Sequence, residues 1–261
     1  MSKFIKKEID KLNKKENKII NKKRNKIIKD KIDPISEKIE EKIPYKLKST
    51  LESAFYNAFK VVIKNGSKYI EKLYNKEKIK VDHEINDYSL NRRMTRKSLK
   101  IIDSQGKKSK HINSTISTIE GVGLGLLGIG IPDIPVFIAM ILKTVYEIAL
   151  SYGFDYENEA EKIYILNLIN VALTSEEEKQ FYNEKLNSIE SKMVFGLGIE
   201  NILDEEIRET SKVLSNRLLI AKFIQGLPIV GVIGGLTNYQ FINKVSKYAR
   251  IRYKKRYLNK Y

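Results

Sequence analysis

The sequence predicts an all-α protein, and three observations support this. Apolar residues recur mostly three and four positions apart along its 261 residues, as on the buried face of a helix. No segment alternates polar and apolar residues for long enough to predict a strand. Residues 121–142 and 223–243 are rich in glycine and almost uncharged. We therefore expect a single multi-helix domain with two glycine-rich apolar helical hairpins packed together, plus a long basic N-terminal helix.

The first segment, residues 1–32, is strongly basic and carries only a thin apolar stripe that includes Ile5, Ile9 and Leu12. A stripe this thin does not stabilise a helix alone, so we expect the helix to fray or protrude. Asp33 and Pro34 are typical of the start of a following helix. We interpret residues 1–44 as a basic helical extension and residues 45–261 as the main domain.

Several helices are expected in the main domain. The first is amphipathic, from Tyr45 to Tyr74, and a second, begun at Asp87, carries a cluster of arginines and lysines. Another begins at Asp133 and ends at Gly153, in the position that favours glycine after a helix. A further helix is expected to end at about Leu173, and the next to begin at the capping residues Thr174 and Ser175. Helices are also expected from about Ile199 to Ile224.

Composition excludes several kinds of site. There is no cysteine and there are two histidines, His83 and His111, so disulfides, thiolate metal sites and cysteine nucleophiles are excluded. We expect no metal and no cofactor. The formal net charge is +17, with basic residues concentrated at both ends and a net charge of about −9 over residues 155–210. A basic protein is attracted to anionic lipid or nucleic acid, although part of this charge is also consistent with a Lys- and Asn-rich composition.

The glycines suggest close helix packing. Gly121 with Gly125, and Gly231 with Gly235, each lie four residues apart, on one face of a helix, where two backbones can approach closely. The two stretches pack together in a soluble core or meet a bilayer; proline, glycine and Asp133 disfavour a straight membrane span. The glycine pattern over residues 123–128 resembles a dinucleotide motif, but no strand precedes it.

Asp133 lies inside an apolar run and must be capped, paired or protonated. One interpretation is that it caps the helix that follows it. The alternative is a catalytic carboxylate acting with Glu147 or Glu120, and on an ideal helix Asp133 and Glu147 share a face. Lys143, four residues before Glu147, is expected to pair with it.

The basic C-terminal tail interleaves cations with tyrosines. This pattern suits anionic lipid headgroups, or RNA with tyrosine stacking on bases, and also a solvated helix end. The candidate residues for membrane or anion contact are Arg250, Arg252, Tyr253, Lys254, Lys255, Arg256 and Tyr257.

Four segments together resemble the EcsC protein family of bacteria, over roughly residues 45–255. They are residues 119–121 with the glycine-rich run, Pro132-Asp-Ile-Pro135, residues 147–155, and residues 227–249 with their glycines, Asn238 and Phe241. The resemblance implies an all-helical fold. It also implies a link to membrane transport, since the family is named after a gene beside an ABC transporter that affects secretion and competence. The position of Asp133 is the most notable polar position of the family.

We therefore expect a non-enzymatic, membrane-associated protein, peripheral to the inner face of the cell membrane and without an apparent secretion signal. Its partners would be an anionic membrane surface and a membrane protein, such as a transporter or secretion system that it modulates. Two alternatives stay open: a hydrolase-like enzyme centred on Asp133, and a basic nucleic-acid-binding module.

Overall fold

The fold, taken from a computed structural model, confirms the all-α prediction. The structure describes residues 2–21, 43–64, 70–92, 95–108, 133–199, 202–225 and 237–261. Within these ranges there are nine helices and no strand. The helices are α1 (Lys3–Ile20), α2 (Tyr45–Lys64), α3 (Lys76–Arg92), α4 (Arg96–Lys108), α5 (Asp133–Ser151), α6 (Glu159–Leu173), α7 (Glu176–Val194), α8 (Leu203–Gln225) and α9 (Thr237–Leu258).

Two helices form the centre of the molecule because they are apolar on nearly every side. Every residue from Met140 to Ser151 of α5 is buried, and so is every residue from Ile163 to Leu173 of α6. Such helices need neighbours all round. Helices α2, α3 and α4 pack on α5, helices α7 and α8 pack on α6, and α9 packs on both. The last helix therefore joins the two halves of the core.

Tyrosines fill much of this core. The rings of Tyr146 and Tyr156 stack 3.9 Å apart and almost parallel, and Tyr164 meets Tyr253 edge to face. A buried tyrosine brings a large apolar ring and a hydroxyl that needs a partner. The Tyr156 hydroxyl donates to Glu71 at 2.8 Å, so the polar requirement is met inside the protein.

Three predicted helix boundaries are confirmed. Helix α5 begins at Asp133, although the side chain of this residue lies outside the described atoms, so its capping role stays a prediction. Helix α5 ends before Gly153, whose φ of 73° places it in the left-handed region. Helix α7 begins directly after Ser175, where the serine hydroxyl donates to Glu178 at 3.0 Å.

Three other expectations need correction. Helix α1 does not protrude: its buried residues Ile5, Leu12 and Ile20 pack against α9 and α7. Asp87 does not start a helix but lies within α3, which begins at Lys76. The basic C-terminal tail is not an exposed surface: of the twelve residues 250–261, six are buried and four are half-buried. The boundary at residue 44 stays a prediction, and the predicted packing glycines Gly121, Gly125, Gly231 and Gly235 lie outside the described residues.

A pair of glycines provides a test of how tightly α5 ends against α3. Gly153 and Gly196 both have positive φ, 73° and 65°, but a Cβ on Gly153 would come within 2.2 Å of the His83 ring, whereas a Cβ on Gly196 would meet nothing within 4 Å. The His83 ring is held by the Ser151 carbonyl at 3.1 Å and by an edge contact with Tyr257. We expect Gly196→Ala to lower the free energy of unfolding by about 1 kcal/mol and Gly153→Ala by about 2–4 kcal/mol, measured by urea denaturation.

The double variant His83→Ala with Gly153→Ala isolates the steric part of this difference. Removing the ring leaves only the backbone cost, so adding Gly153→Ala to the His83→Ala background should cost about as much as Gly196→Ala. Equal losses for the two single glycine variants would contradict the close packing of His83 on this turn.

Candidate functional site

The interior of the molecule contains a cluster of charged residues around Arg252, a residue of α9 that is only 2% exposed. One terminal nitrogen of its guanidinium donates to Glu16 at 2.6 Å and to Asn187 at 2.7 Å. The other donates to Glu190 at 2.5 Å, and Nε donates to the Tyr164 hydroxyl at 3.3 Å. One side chain of α9 is thus bound to α1, α6 and α7.

The neighbouring cations of α9 are paired in the same way. Lys255 donates to Glu16 at 2.5 Å, and Arg256 binds both carboxylate oxygens of Glu161, at 2.6 and 2.9 Å. Lys254 donates to Asp103 of α4 at 2.7 Å. Every one of these cations therefore has an acidic partner on another helix. We call Arg252, Lys255 and Arg256 with Glu16, Glu161 and Glu190 the Arg252 cluster.

The pairing explains why these charges tolerate burial. A charge removed from water is costly unless an opposite charge and further hydrogen bonds compensate it. Burial raises the pKa of the Glu16 carboxyl, but the nearby charges and hydrogen bonds of Arg252 and Lys255 outweigh it, so the pKa lies below its usual value. Burial alone would lower the pKa of Arg252. Its tyrosine and glutamate neighbours have the larger, opposite effect, so the pKa is raised and the guanidinium stays charged.

This geometry changes the interpretation of the predicted anion-contact residues. Arg252, Tyr253, Lys254 and Tyr257 are buried, and the half-buried Lys255 and Arg256 are paired with acids of the same chain. Arg250 is half-buried. The tail therefore does not present an exposed row of cations and tyrosines. Its acidic partners are Glu161 and Glu190 of the acidic central segment, Glu16 of α1 and Asp103 of α4. The opposite net charges of the tail and of residues 155–210 were the signal in the sequence for the first two.

The structure describes one of the three predicted catalytic carboxylates in full. Glu147 is buried and accepts from Lys143 at 3.0 Å, as their spacing predicts. Its other oxygen, Oε2, is buried without a hydrogen-bond partner. Burial raises the pKa of the Glu147 carboxyl, and Lys143 offsets only part of this effect. Glu147 therefore takes up a proton more readily than an exposed glutamate does.

Glu147 and Asp133 do not form one site. Both lie on α5, a continuous helix, and fourteen residues at 1.5 Å each separate their backbones by about 21 Å. Paired carboxylates that act on one bond lie within about 10 Å of each other. Sharing a helical face is therefore not sufficient, because the rise along the axis separates the two residues. Glu120 lies outside the described residues.

Helix α1 carries an extended cationic surface. Its lysines are all exposed and occupy the face opposite the buried Ile5, Leu12 and Glu16, while Asp10 is the one exposed acid of the helix. Eighteen residues of helix extend this face over about 27 Å. The seven lysines are Lys3, Lys6, Lys7, Lys11, Lys14, Lys15 and Lys18, and we call them the α1 lysine face.

Within the described ranges, one helix segment has the length and apolar composition needed to cross a membrane. It is Ile134–Ser151 of α5, but 83% of this stretch is buried inside the protein, as in a core helix. The same ranges contain no group of three histidine or acidic side chains placed to hold a metal ion.

The Arg252 cluster predicts that stability depends on pH through Glu16. The pKa of Glu16 is lower in the folded chain than in the unfolded chain, where it is about 4.3. The Glu16 carboxylate therefore contributes fully to the free energy of unfolding above the unfolded-state pKa, and this contribution is lost as the pH falls through the folded-state pKa. We expect Glu16→Gln to lower the free energy of unfolding by about 3 kcal/mol at pH 7, since it leaves Arg252 and Lys255 without their shared carboxylate. The loss relative to the parent should shrink between pH 6 and pH 3 in urea denaturation.

Asp10→Asn is the matched control, because it removes one acid from the exposed side of the same helix. It should change the free energy of unfolding by no more than about 0.5 kcal/mol at any pH in this range. Parallel stability curves for Glu16→Gln and the parent would show that the buried pair does not contribute.

Comparison with known proteins gives a family and no solved structure. The chain is 27% identical over 139 residues to "Protein EcsC" of Bacillus subtilis, which is 52% of this chain and 55% of that protein. It is 23% identical over 161 residues to "Uncharacterized protein YdbA" of the same organism, 60% of this chain and 56% of that protein. The chain thus spans about half the length of the curated relatives it matches. No solved structure shows a significant match. The model of the EcsC protein family matches residues 6–258, a range that includes most of α1, and the chain therefore belongs to the EcsC protein family.

Proposed function

We propose that the protein is a non-enzymatic peripheral membrane protein that docks on the anionic inner face of the cell membrane through the α1 lysine face. The observation that carries this proposal is the position of the seven lysines, on one side of a helix whose other side is fixed in the core. A helix fixed in this way presents its cations as a preformed surface, and a charged headgroup layer attracts each of them.

The proposal includes a partner at the membrane. Family membership, together with the link between the family and an ABC transporter, favours a role in modulating such a transporter or a secretion system. The described fold supports a docking role in one respect, since Arg252, Lys255 and Arg256 of α9 are paired with acids of the same chain and the lysines of α1 are exposed.

The two alternatives have less support. A nucleic-acid module would use tyrosines to stack on bases, but Tyr248, Tyr253 and Tyr257 of α9 are buried. A hydrolase centred on Asp133 would need a second carboxylate nearby, and Glu147 is about 21 Å along the helix. The α1 lysine face would also attract nucleic-acid phosphates, so competition with an oligonucleotide distinguishes that alternative from membrane docking.

Charge reversal on α1 tests the proposal. We expect the triple variant Lys7→Glu, Lys14→Glu and Lys18→Glu to weaken binding to vesicles of phosphatidylglycerol and phosphatidylcholine by at least 100-fold, since each lysine near an anionic surface contributes about 1 kcal/mol. Sedimentation of the full chain with vesicles measures the effect. Parent binding should fall as salt is raised and be absent on vesicles of phosphatidylcholine alone.

The control reverses the same amount of charge elsewhere. Lys46, Lys78 and Lys212 are exposed on α2, α3 and α8, and their joint change to glutamate should reduce binding much less. Equal losses in the two triple variants would mean that only net charge matters and that α1 is not the docking face. Failure of the parent to bind the anionic vesicles would end the proposal, as would tighter binding to an oligonucleotide in competition.

A further inference from the structure

The turn that follows α7 exposes three large apolar side chains together. Val194 is 75% exposed, Phe195 76% and Leu197 59%. The turn is held at both ends, because Met193 packs against the core and Ile199 is buried. We call Val194, Phe195 and Leu197 the apolar tip.

The backbone of the apolar tip is ordered by hydrogen bonds. The Phe195 N–H donates to the Ser191 carbonyl at 3.0 Å, and the Leu197 N–H donates to the Lys192 carbonyl at 2.9 Å. Gly196, at φ 65°, supplies the left-handed residue that this helix ending requires. In most endings of this type the apolar residue after the glycine packs back onto the helix. Here Leu197 is 59% exposed, so most of its side chain stays outside the fold although the backbone of the turn is ordered.

A lysine and a neutralised acid flank the apolar tip on α7. Lys192 is exposed in the last turn of α7. Glu190, one turn before Val194, is neutralised by Arg252, and the same guanidinium holds Glu16 of α1. Helix α1, which carries the lysine face, therefore packs beside α7. An apolar projection next to lysines matches the boundary between acyl chains and phosphate headgroups.

We propose that the apolar tip inserts into the acyl region of the membrane while the α1 lysine face binds the headgroups. The inference rests on the proposed function and adds to it the residues that anchor the protein. A convex turn favours a fluid bilayer over a protein surface, since acyl chains can close around it without a matching pocket. The insertion depth is that of a few side chains, about 5–10 Å.

The absence of cysteine from the chain makes a labelling experiment direct. Phe195→Cys and Ser188→Cys, the latter exposed about 11 Å back along α7, each carry one environment-sensitive fluorophore. On phosphatidylglycerol vesicles we expect a blue shift and quenching by acyl-chain nitroxide lipids at position 195 and neither at position 188. Sedimentation of the same samples reports binding separately. Binding without any change at position 195 overturns insertion of the apolar tip and leaves the proposed function standing, whereas failure of both the parent and the Ser188→Cys sample to bind overturns both.

A substitution experiment measures how much the apolar tip contributes. We expect Phe195→Ser with Leu197→Ser to weaken vesicle binding about 100-fold, from two side chains no longer buried in lipid, with an unchanged unfolding curve. Phe181→Ser is the control and should have no effect, because Phe181 is also an exposed phenylalanine, at 59%, but lies toward the other end of α7. Loss of self-association in the double variant, with vesicle binding unchanged, would assign the apolar tip to a second copy of the chain and overturn membrane insertion.

Discussion

The fold depends on the neutralisation of the cations of α9 inside the protein. Arg252 joins α9 to α1, α6 and α7, Arg256 strengthens the contact with α6, and Lys254 reaches Asp103 of α4. The hydroxyl of Tyr257 adds α3, donating to Asp87 at 2.7 Å. These five helices contribute acceptors to one basic helix. Removing Glu161 would leave Arg256 without a carboxylate, and removing Glu16 would leave Lys255 without one, so these pairs help to fix where α1 and α6 lie against α9.

Apolar packing supplies the driving force, and the charges select one arrangement. Helices α5 and α6 are buried on nearly every side and would associate with any apolar surface. Helix α9 contacts both, and its polar side chains are satisfied only when the acids of the other helices face them. A helix rotated by one residue would still bury apolar groups but would separate these pairs. The ion pairs therefore specify the packing that apolar contact alone leaves open.

The part of the fold that could be predicted from sequence is the part that depends on neighbours along the chain. Apolar spacing predicted the helix from Tyr45, the start at Asp133, the glycine ending at Gly153 and the pair of Lys143 with Glu147, all of which involve residues a few positions apart. The α9 helix was interpreted as an exposed basic tail because no local feature shows that Glu16, 236 residues away, neutralises Arg252. For the same reason a thin apolar stripe on α1 predicted a protruding helix, since α1 is covered in part by α9, at the far end of the sequence.

The distance in sequence between Glu16 and Arg252 also determines the order in which the fold is completed during synthesis. At about 5–20 residues per second, the ribosome needs roughly 12–47 seconds to add the 236 residues between them. During that interval the stripe of Ile5, Leu12 and Ile20 has emerged without the helix that later covers it. The lysines of α1 repel other nascent copies of the same segment and so oppose aggregation through this stripe. The density of positive charge on α1 thus protects the unfinished chain before it serves any purpose in the finished one.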